Sequence, residues 1–162
     1  MPNHPLITVV TVTFNAELVI GDTINSLVSQ KSQNFEWVVI DGISTDRTLD
    51  IISGLYSISF PNIVISEFDR GLYDAMNKGI SLSSGHYIIF MNAGDVFFDD
   101  SVLSDFENFI ESCTSFPAMV YGHTHVKLSD GSFFKRKVRS LDYIWHGQPT
   151  IHQSVFFNRE VH

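Results

Sequence analysis

Tyr87–Met91 (YIIFM) constrains the fold more than any other stretch of the chain. Five large apolar residues in succession, with no alternation, describe a strand buried on both faces, as in a parallel sheet covered by helices. The run stops at Asn92-Ala93-Gly94-Asp95. Small and polar residues directly after such a strand place a flexible backbone and a carboxylate at the carboxyl edge of the sheet, where open α/β folds bind ligands. Asp95 is therefore read either as a ligand-facing acid or as a turn or cap residue, since Asp and Asn favour both roles.

The rest of the chain supplies the sheet. Leu6–Thr13 and Phe35–Ile40 are short and rich in β-branched or aromatic residues, and Asn62–Ser66 is a third such run. Between them, Glu17–Gln30 carries apolar residues at helical spacing, and a second helix begins near Arg47, capped by Ser44, Thr45 or Asp46. In the loop before it, Gly42 is expected to supply backbone freedom. Leu72–Leu82 reads as a helix with Leu72, Ala75, Met76, Gly79 and Ile80 on one side, stopped by Gly85, and Ser101–Ser112 as another, capped by Ser101 or Asp100. The βαβα order implies right-handed crossovers and a mostly parallel sheet. After it, Ala118–Leu128 and Ser132–Val138 form a hairpin through Asp130-Gly131, followed by a short helix around Leu141–Trp145 and a last strand, Gln153–Phe157. At 162 residues and 44% hydrophobic content, one domain with a sufficient core is expected.

Composition narrows the function classes. A net charge of −8 opposes general nucleic-acid binding. Cys113 is alone, so no internal disulfide forms, and a reducing compartment is expected. No segment reads as a signal peptide or membrane span. Against the acidic background, Lys127, Lys135, Arg136, Lys137 and Arg139 gather half of the ten basic residues within 13 positions. They describe a solvated hairpin or a patch for anionic lipid or a phosphate-bearing acceptor.

Acids recur at strand ends: Asp41, Asp69 and Asp95. Three carboxylates converging on one crevice call for something positive, and a divalent cation bridging a diphosphate would meet that need with only one or two protein carboxylates. Neither a G-x-x-x-x-G-K-[ST] loop nor a G-x-G-x-x-G turn is present, which disfavours P-loop nucleotidases and dinucleotide dehydrogenases. His123 and His125 would share a strand face without a third ligand and are read as surface or core-edge imidazoles. His152 could approach the crevice as metal ligand or phosphate contact, or be a buried histidine. Tyr143, Trp145 and Phe156 are read as core rather than as an acceptor-stacking surface.

With these residues in place the chain resembles the family 2 glycosyltransferases, inverting enzymes of the GT-A fold. The resemblance rests on VVTVTFN (Val9–Asn15), VVIDGISTD (Val38–Asp46), EFDRGLYDAMNKG (Glu67–Gly79), IIFMNAGD (Ile88–Asp95) and His152-Gln153-Ser154. Within the family it looks like the bacterial enzymes that build exopolysaccharide repeat units, such as the colanic acid transferases. The resemblance implies a Rossmann-like, mostly parallel sheet with flanking helices. It implies a nucleotide site of Thr13, Phe14, Asn15, Asp41, Ser44, Asp46, Asp69, Arg70 and Lys78, with Asn77 and Asn92 on the donor-sugar side. Asp95, with His152 as a second ligand, would hold Mn²⁺ or Mg²⁺ as a Lewis acid. The implied partners are a nucleotide-sugar donor, UDP-linked by prior, and a saccharide or lipid-linked acceptor, with peripheral contact at the inner membrane and a homo-oligomer admitted. The basic Lys127–Arg139 stretch, with no membrane segment in the sequence, predicts a cytoplasmic enzyme that touches the inner leaflet.

Two departures shape the expectation. Asn92 and Gly94 stand where the family's acidic motif commonly has aspartates, so metal affinity should be weak. The general base of inverting transfer is expected beyond His162, so the chain reads as the nucleotide-sugar half of an enzyme with little transfer activity of its own. The competing readings are a non-catalytic nucleotide-sugar-binding module and, lower, a sugar-phosphate nucleotidyltransferase.

Overall fold

The structure, a computed structural model, describes residues 4–54, 61–128, 130–139 and 150–161. Its main sheet has six strands: β1 (Ile7–Thr13), β2 (Phe35–Asp41), β3 (Ile63–Ser66), β4 (Tyr87–Phe90), β5 (Met119–Tyr121) and β8 (Val155–Asn158), in the order β3-β2-β1-β4-β8-β5. A separate two-stranded ribbon joins β6 (Thr124–Lys127) to β7 (Phe133–Arg136). Strands β1 to β4 are parallel, while β8 runs antiparallel to both β4 and β5. The helices are α1 (Ile20–Val28), α2 (Thr48–Ser53), α3 (Leu72–Leu82) and α4 (Val102–Ser112).

Both faces of the parallel strands are covered, as their unbroken apolar runs require. Val9, Trp37, Val39, Tyr87 and Ile89 pack with α1 and α4 through Ile20, Ile24, Leu27, Leu103, Phe106 and Ile110. Val10, Val38, Ile40, Ile88 and Phe90 face the other way, against Ala75 and Met76 of α3. Gly79 lets α3 approach this closely, because a Cβ there would lie 2.3 Å from Val10 Cγ1. Phe156 is core: it stacks on Phe106 with ring centroids 3.9 Å apart and is 7% exposed.

Three expectations are corrected. The long strand expected over Ala118–Leu128 is two, because the chain leaves the main sheet at Gly122-His123 and re-pairs as β6. His123 therefore lies outside the ribbon, where its Nδ1 accepts from the Val138 amide, while His125 stacks on Phe98, so the two do not share a strand face. Gly85 is not the stop signal of α3, whose C-cap is Ser83. Its need is space: a Cβ would sit 2.6 Å from the Thr8 nitrogen. The helix expected around Leu141–Trp145, with Tyr143 and Trp145, lies outside the described residues.

Candidate functional site

Strand order reverses between β1 and β4: the chain steps outward through β2 and β3, then crosses back to pair β4 with the free side of β1. Crevices at such a reversal are where open α/β sheets take their ligands. A cleft of about 610 Å³ opens here, floored by Val12 to Ala16 at the end of β1 and by Asn92 and Ala93 at the end of β4. Gly42, Phe68, Asp69, Gly71 and Leu72 form the wall on the β2–β3 side, and Val19 closes the opposite edge.

The β1 end presents Thr13, Phe14 and Asn15 together. Phe14 is 62% exposed, an aromatic face open to the cleft, whereas Thr13 is buried and its Oγ1 has no hydrogen-bond partner. Asn15 turns the chain with φ 46° and knits this loop to the next one. Its amide donates to Ser44 Oγ at 2.8 Å, and its Oδ1 accepts from the Thr45 amide at 2.8 Å. Asp46 extends the same seam: its carboxylate accepts from the amides of Glu17 and Thr48, both at 3.0 Å. Burial raises its proton affinity, but the bonds from Thr48 and Glu17 outweigh that and leave its pKa below the ordinary carboxylate value.

Asp41 has a different place from a simple strand-end acid. It is fully buried, and its carboxylate accepts from the Ser44 hydroxyl, from the Ser44 amide at 2.9 Å and from Ser66 Oγ at 2.7 Å. It shapes the wall of the cleft from behind. The backbone freedom assigned to Gly42 falls instead on Ile43, which adopts φ 62°. Gly42 gives Asp69 and Phe14 room, since a Cβ would lie 2.7 Å from Asp69 Oδ2, the end of a flexible side chain, and 3.5 Å from the Phe14 ring. Asp69 thus meets Phe14 and the Gly42 backbone at one point, its Oδ1 accepting from the Gly71 amide at 2.8 Å.

Lys78 reaches back under this loop, donating to the Phe68 carbonyl at 2.6 Å and pairing with Glu67 at 2.9 Å. It anchors the wall. Arg70 and Asn77 are exposed and do not line the cleft, although the Arg70 amide donates to Asp74 at 3.0 Å and helps fix the start of α3.

Beyond the Asn92–Ala93 floor, Asp95 is partly buried. Desolvation raises its pKa above the ordinary value, opposed by the Asn92 amide, the Gln153 side chain and the nearby His152. The amide of Asn92 donates to Asp95 Oδ2 at 3.2 Å. His152 enters on a 3-10 turn, His152–Ser154, that leads into β8, and its ring meets the edge of Phe90. Around Asp95 gather three buried polar atoms with no partner, Asn92 Oδ1, His152 Nε2 and Gln153 Oε1. Buried polar groups are ordinarily satisfied, so such a cluster describes a place where water or a ligand supplies the missing partners. The three strand-end acids do not converge as expected. Asp69 stands on the β3 side, Asp41 is buried behind it, and among the described residues no group of three or more His, Cys, Asp or Glu could hold a metal. One carboxylate, one imidazole and neutral amide oxygens fit a hard divalent cation only as a shared site in which a diphosphate and water complete the shell.

The sequence model of the family described as "Glycosyl transferase family 2" matches residues 8–158. The chain belongs to glycosyl transferase family 2. Among curated relatives, a PGL/p-HBAD biosynthesis glycosyltransferase of Mycobacterium bovis is 30% identical over 96% of the chain, and the chain spans 60% of that relative's length. A putative teichuronic acid biosynthesis glycosyltransferase, TuaG of Bacillus subtilis, is 30% identical over 69% of the chain and is covered over 45% of its own length. The GT-A architecture is shared with S. aureus TarS 1-349, solved in complex with UDP-GlcNAc, at TM-score 0.66 and 20% identity, covering 96% of this chain and 46% of that one. It is shared equally with the mannosyltransferase PcManGT of Pyrobaculum calidifontis, in complex with GDP-Man and Mn²⁺, at TM-score 0.68 and 17% identity, covering 99% and 46%.

Within this family 2 domain, the loop that carries Asp95 is held by residues that sequence reading passed over. Thr23 Oγ1 accepts from the Gly94 amide at 2.8 Å and donates to the Asp95 carbonyl at 2.9 Å. Ser26 Oγ accepts from the Phe97 amide at 2.7 Å, and Gln30 bonds the Asp99 carbonyl at 2.7 Å and the Leu103 amide at 3.1 Å. Thr23 and Ser26 lie one turn apart on α1, and Gln30 follows just past its C-cap, Ser29, at i+7 from Thr23. That spacing was the available signal, and Gln153, next to the singled-out His152, was another.

Proposed function

We propose that this chain forms the donor-binding portion of a glycosyltransferase that moves a sugar from a nucleoside diphosphate to a saccharide or lipid-linked saccharide hydroxyl, with inversion. The reading is supported above all by the cleft at the strand-order reversal, where an exposed aromatic ring, a carboxylate and unpaired buried Thr13 Oγ1 and Asn92 Oδ1 share one opening. Phe14 offers a stacking face for the base, and Asp69, beside it, an acceptor for ribose hydroxyls. Ser44, Asp41 and Asp46 hold that wall, and Lys78 anchors it through the Phe68 carbonyl and Glu67, whereas Arg70 and Asn77 stand outside the cleft. On the other side Asn92 meets the donor sugar, and Asp95 with His152 would hold Mn²⁺ or Mg²⁺, which screens the diphosphate as it leaves.

In the reaction the acceptor oxygen bonds to the anomeric carbon from the face opposite the leaving group. The carbon–phosphate-oxygen bond breaks, and the nucleoside diphosphate departs with the electron pair. The acceptor proton passes to a general base, a role assigned to none of the described residues. UDP is the proposed nucleotide, and the cytoplasmic face, where nucleotide sugars are made, the proposed location.

Calorimetric titration of the chain with UDP and with GDP, each with and without Mn²⁺, tests the reading. Metal-dependent binding of one nucleotide, lost in Asp95→Ala and weakened in Phe14→Ala, is expected. A folded chain that binds neither nucleotide under either condition would overturn it.

A further inference from the structure

The β6–β7 ribbon is at odds with the rest of the molecule. It stands outside the main sheet, and Phe133, Phe134, Lys135 and Arg136 are all exposed, as are Lys127 and Leu128. Its register pairs Val126 with Phe134 and Lys127 with Phe133. Because paired residues share a face, Val126 and Phe134 lie together on one side, with Arg136 at the end of the same row. Phe134 is 58% exposed, Leu128 47% and Val126 38%, an apolar strip that nothing in the described chain covers. The flanking charges are one-sided: five of the ten basic residues lie between Lys127 and Arg139, accompanied by Asp130 alone of the eighteen acids. A chain of net charge −8 has thus concentrated cations around apolar side chains on one projecting element.

We propose that this ribbon is a membrane-docking element that lies side-on against an anionic lipid surface. Phe134, Val126 and Leu128 would enter the boundary between headgroups and acyl chains, while Arg136, in the same row, reaches the lipid phosphates along its aliphatic stem and Lys135 and Lys137, on the alternate face, add attraction within a Debye length of the surface. Charge complementarity selects the occupant, since the exposed cations of the ribbon, Lys127, Lys135, Arg136 and Lys137, call for an anionic surface rather than a neutral protein. The turn excludes tip-first entry: Asp130 accepts from the Ser132 amide and hydroxyl, which lowers its pKa and keeps a charge at the apex. The ribbon is rooted beside the candidate site, because His125 stacks on Phe98 at 4.4 Å, three residues beyond Asp95. On the donor-site reading, docking would present that site to a sugar acceptor carried on lipid.

The test is sedimentation of the chain with vesicles of phosphatidylcholine alone or with 30% phosphatidylglycerol, in about 0.05 M and 0.5 M salt. Binding is expected only to the anionic vesicles and only at low salt. Each basic residue near such a surface contributes about fivefold in partition, so Lys135→Gln/Arg136→Gln/Lys137→Gln should lose roughly 100-fold. Phe134→Ser, exposed and outside the cleft, should weaken binding at unchanged thermal stability. Equal binding to neutral vesicles, undiminished binding by the triple variant, or capture by a soluble acidic polysaccharide without vesicle binding would each overturn the proposal. Nucleotide titration of the same preparations separates the two readings, because the ribbon variants should bind nucleotide as the parent does.

Discussion

Replacing Gly79 with alanine should destabilise the protein, against the intrinsic preference of the helix it sits in. In an exposed helix interior the change favours folding by about 1 kcal/mol. Here the added Cβ falls 2.3 Å from Val10 Cγ1 and 3.4 Å from both Val10 Cβ and Cγ2, whereas carbon atoms rest at about 3.5–4.0 Å. Val10 cannot retreat, because it occupies the middle of the sheet, in register with Val38 on one side and Phe90 on the other. The helix must back away instead. Overpacking of this kind costs about 1–3 kcal/mol; an overlap of more than an ångström against a β-branched side chain belongs at the upper end. The net loss is about 1–2 kcal/mol, a Tm lower by about 2–8 °C for a domain of this size. Thermal unfolding of a double-mutant cycle isolates the cause. With Val10→Ala in place the obstructing methyl is gone, so Gly79→Ala should then raise Tm by about 2–4 °C relative to Val10→Ala alone. A rise in Tm for Gly79→Ala with Val10 present would refute the reasoning, as would a penalty that survives removal of Val10 Cγ1.

Three further outcomes are expected. Ile43, β-branched at φ 62° and 49% exposed, carries backbone strain of about 1–3 kcal/mol, so Ile43→Asn should raise Tm by a few degrees in differential scanning calorimetry; a lower Tm would contradict this. Because the folded chain raises the Asp95 pKa, the native state binds more protons than the unfolded chain from the ordinary value of 3.8 upward. The contribution of Asp95 is therefore fully present below that value and is lost as pH rises through the raised one, and Asp95→Asn should remove this component from the pH dependence of stability. Mn²⁺-dependent nucleotide binding should strengthen over the same interval, and a pH-independent affinity there would count against Asp95 as ligand. Thr23→Val keeps the shape but orphans the Gly94 amide and the Asp95 carbonyl, so a loss of about 1–3 kcal/mol by denaturant titration, with weaker metal-dependent binding, is expected.

The parallel part of the fold was legible because its strands are buried on both faces. Val9 and Val10 belong to opposite cores, and only an uninterrupted apolar run can serve both. The cleft followed from strand order, which the βαβα alternation encodes. Other features depend on contacts distant in sequence. Asp41 looks like a ligand-facing acid until the loop folds back and Ser44 and Ser66 enclose it. Ile43 takes the positive φ although a glycine precedes it, and nothing in the local sequence marks that choice. Thr23 and Gln30 are buried against the loop from Gly94 onward, where periodicity alone assigns polar residues to solvent and cannot see a polar loop arriving from so far along the chain.

That last arrangement makes α1 a ruler. Thr23 and Ser26 on the helix and Gln30 just past its end grip the backbone on both sides of Phe97, and the first two grips depend on the angular position of each residue around the helix axis. One residue added or removed between Ala16 and Thr23 would turn those two side chains by about 100°. Both grips would then be lost together, although the change lies more than seventy positions from Asp95. Length variation should consequently be forbidden in this segment, where the amino acids themselves look unremarkable, and tolerated in the turn of the β6–β7 ribbon, whose Asp130-Gly131 apex holds nothing but itself.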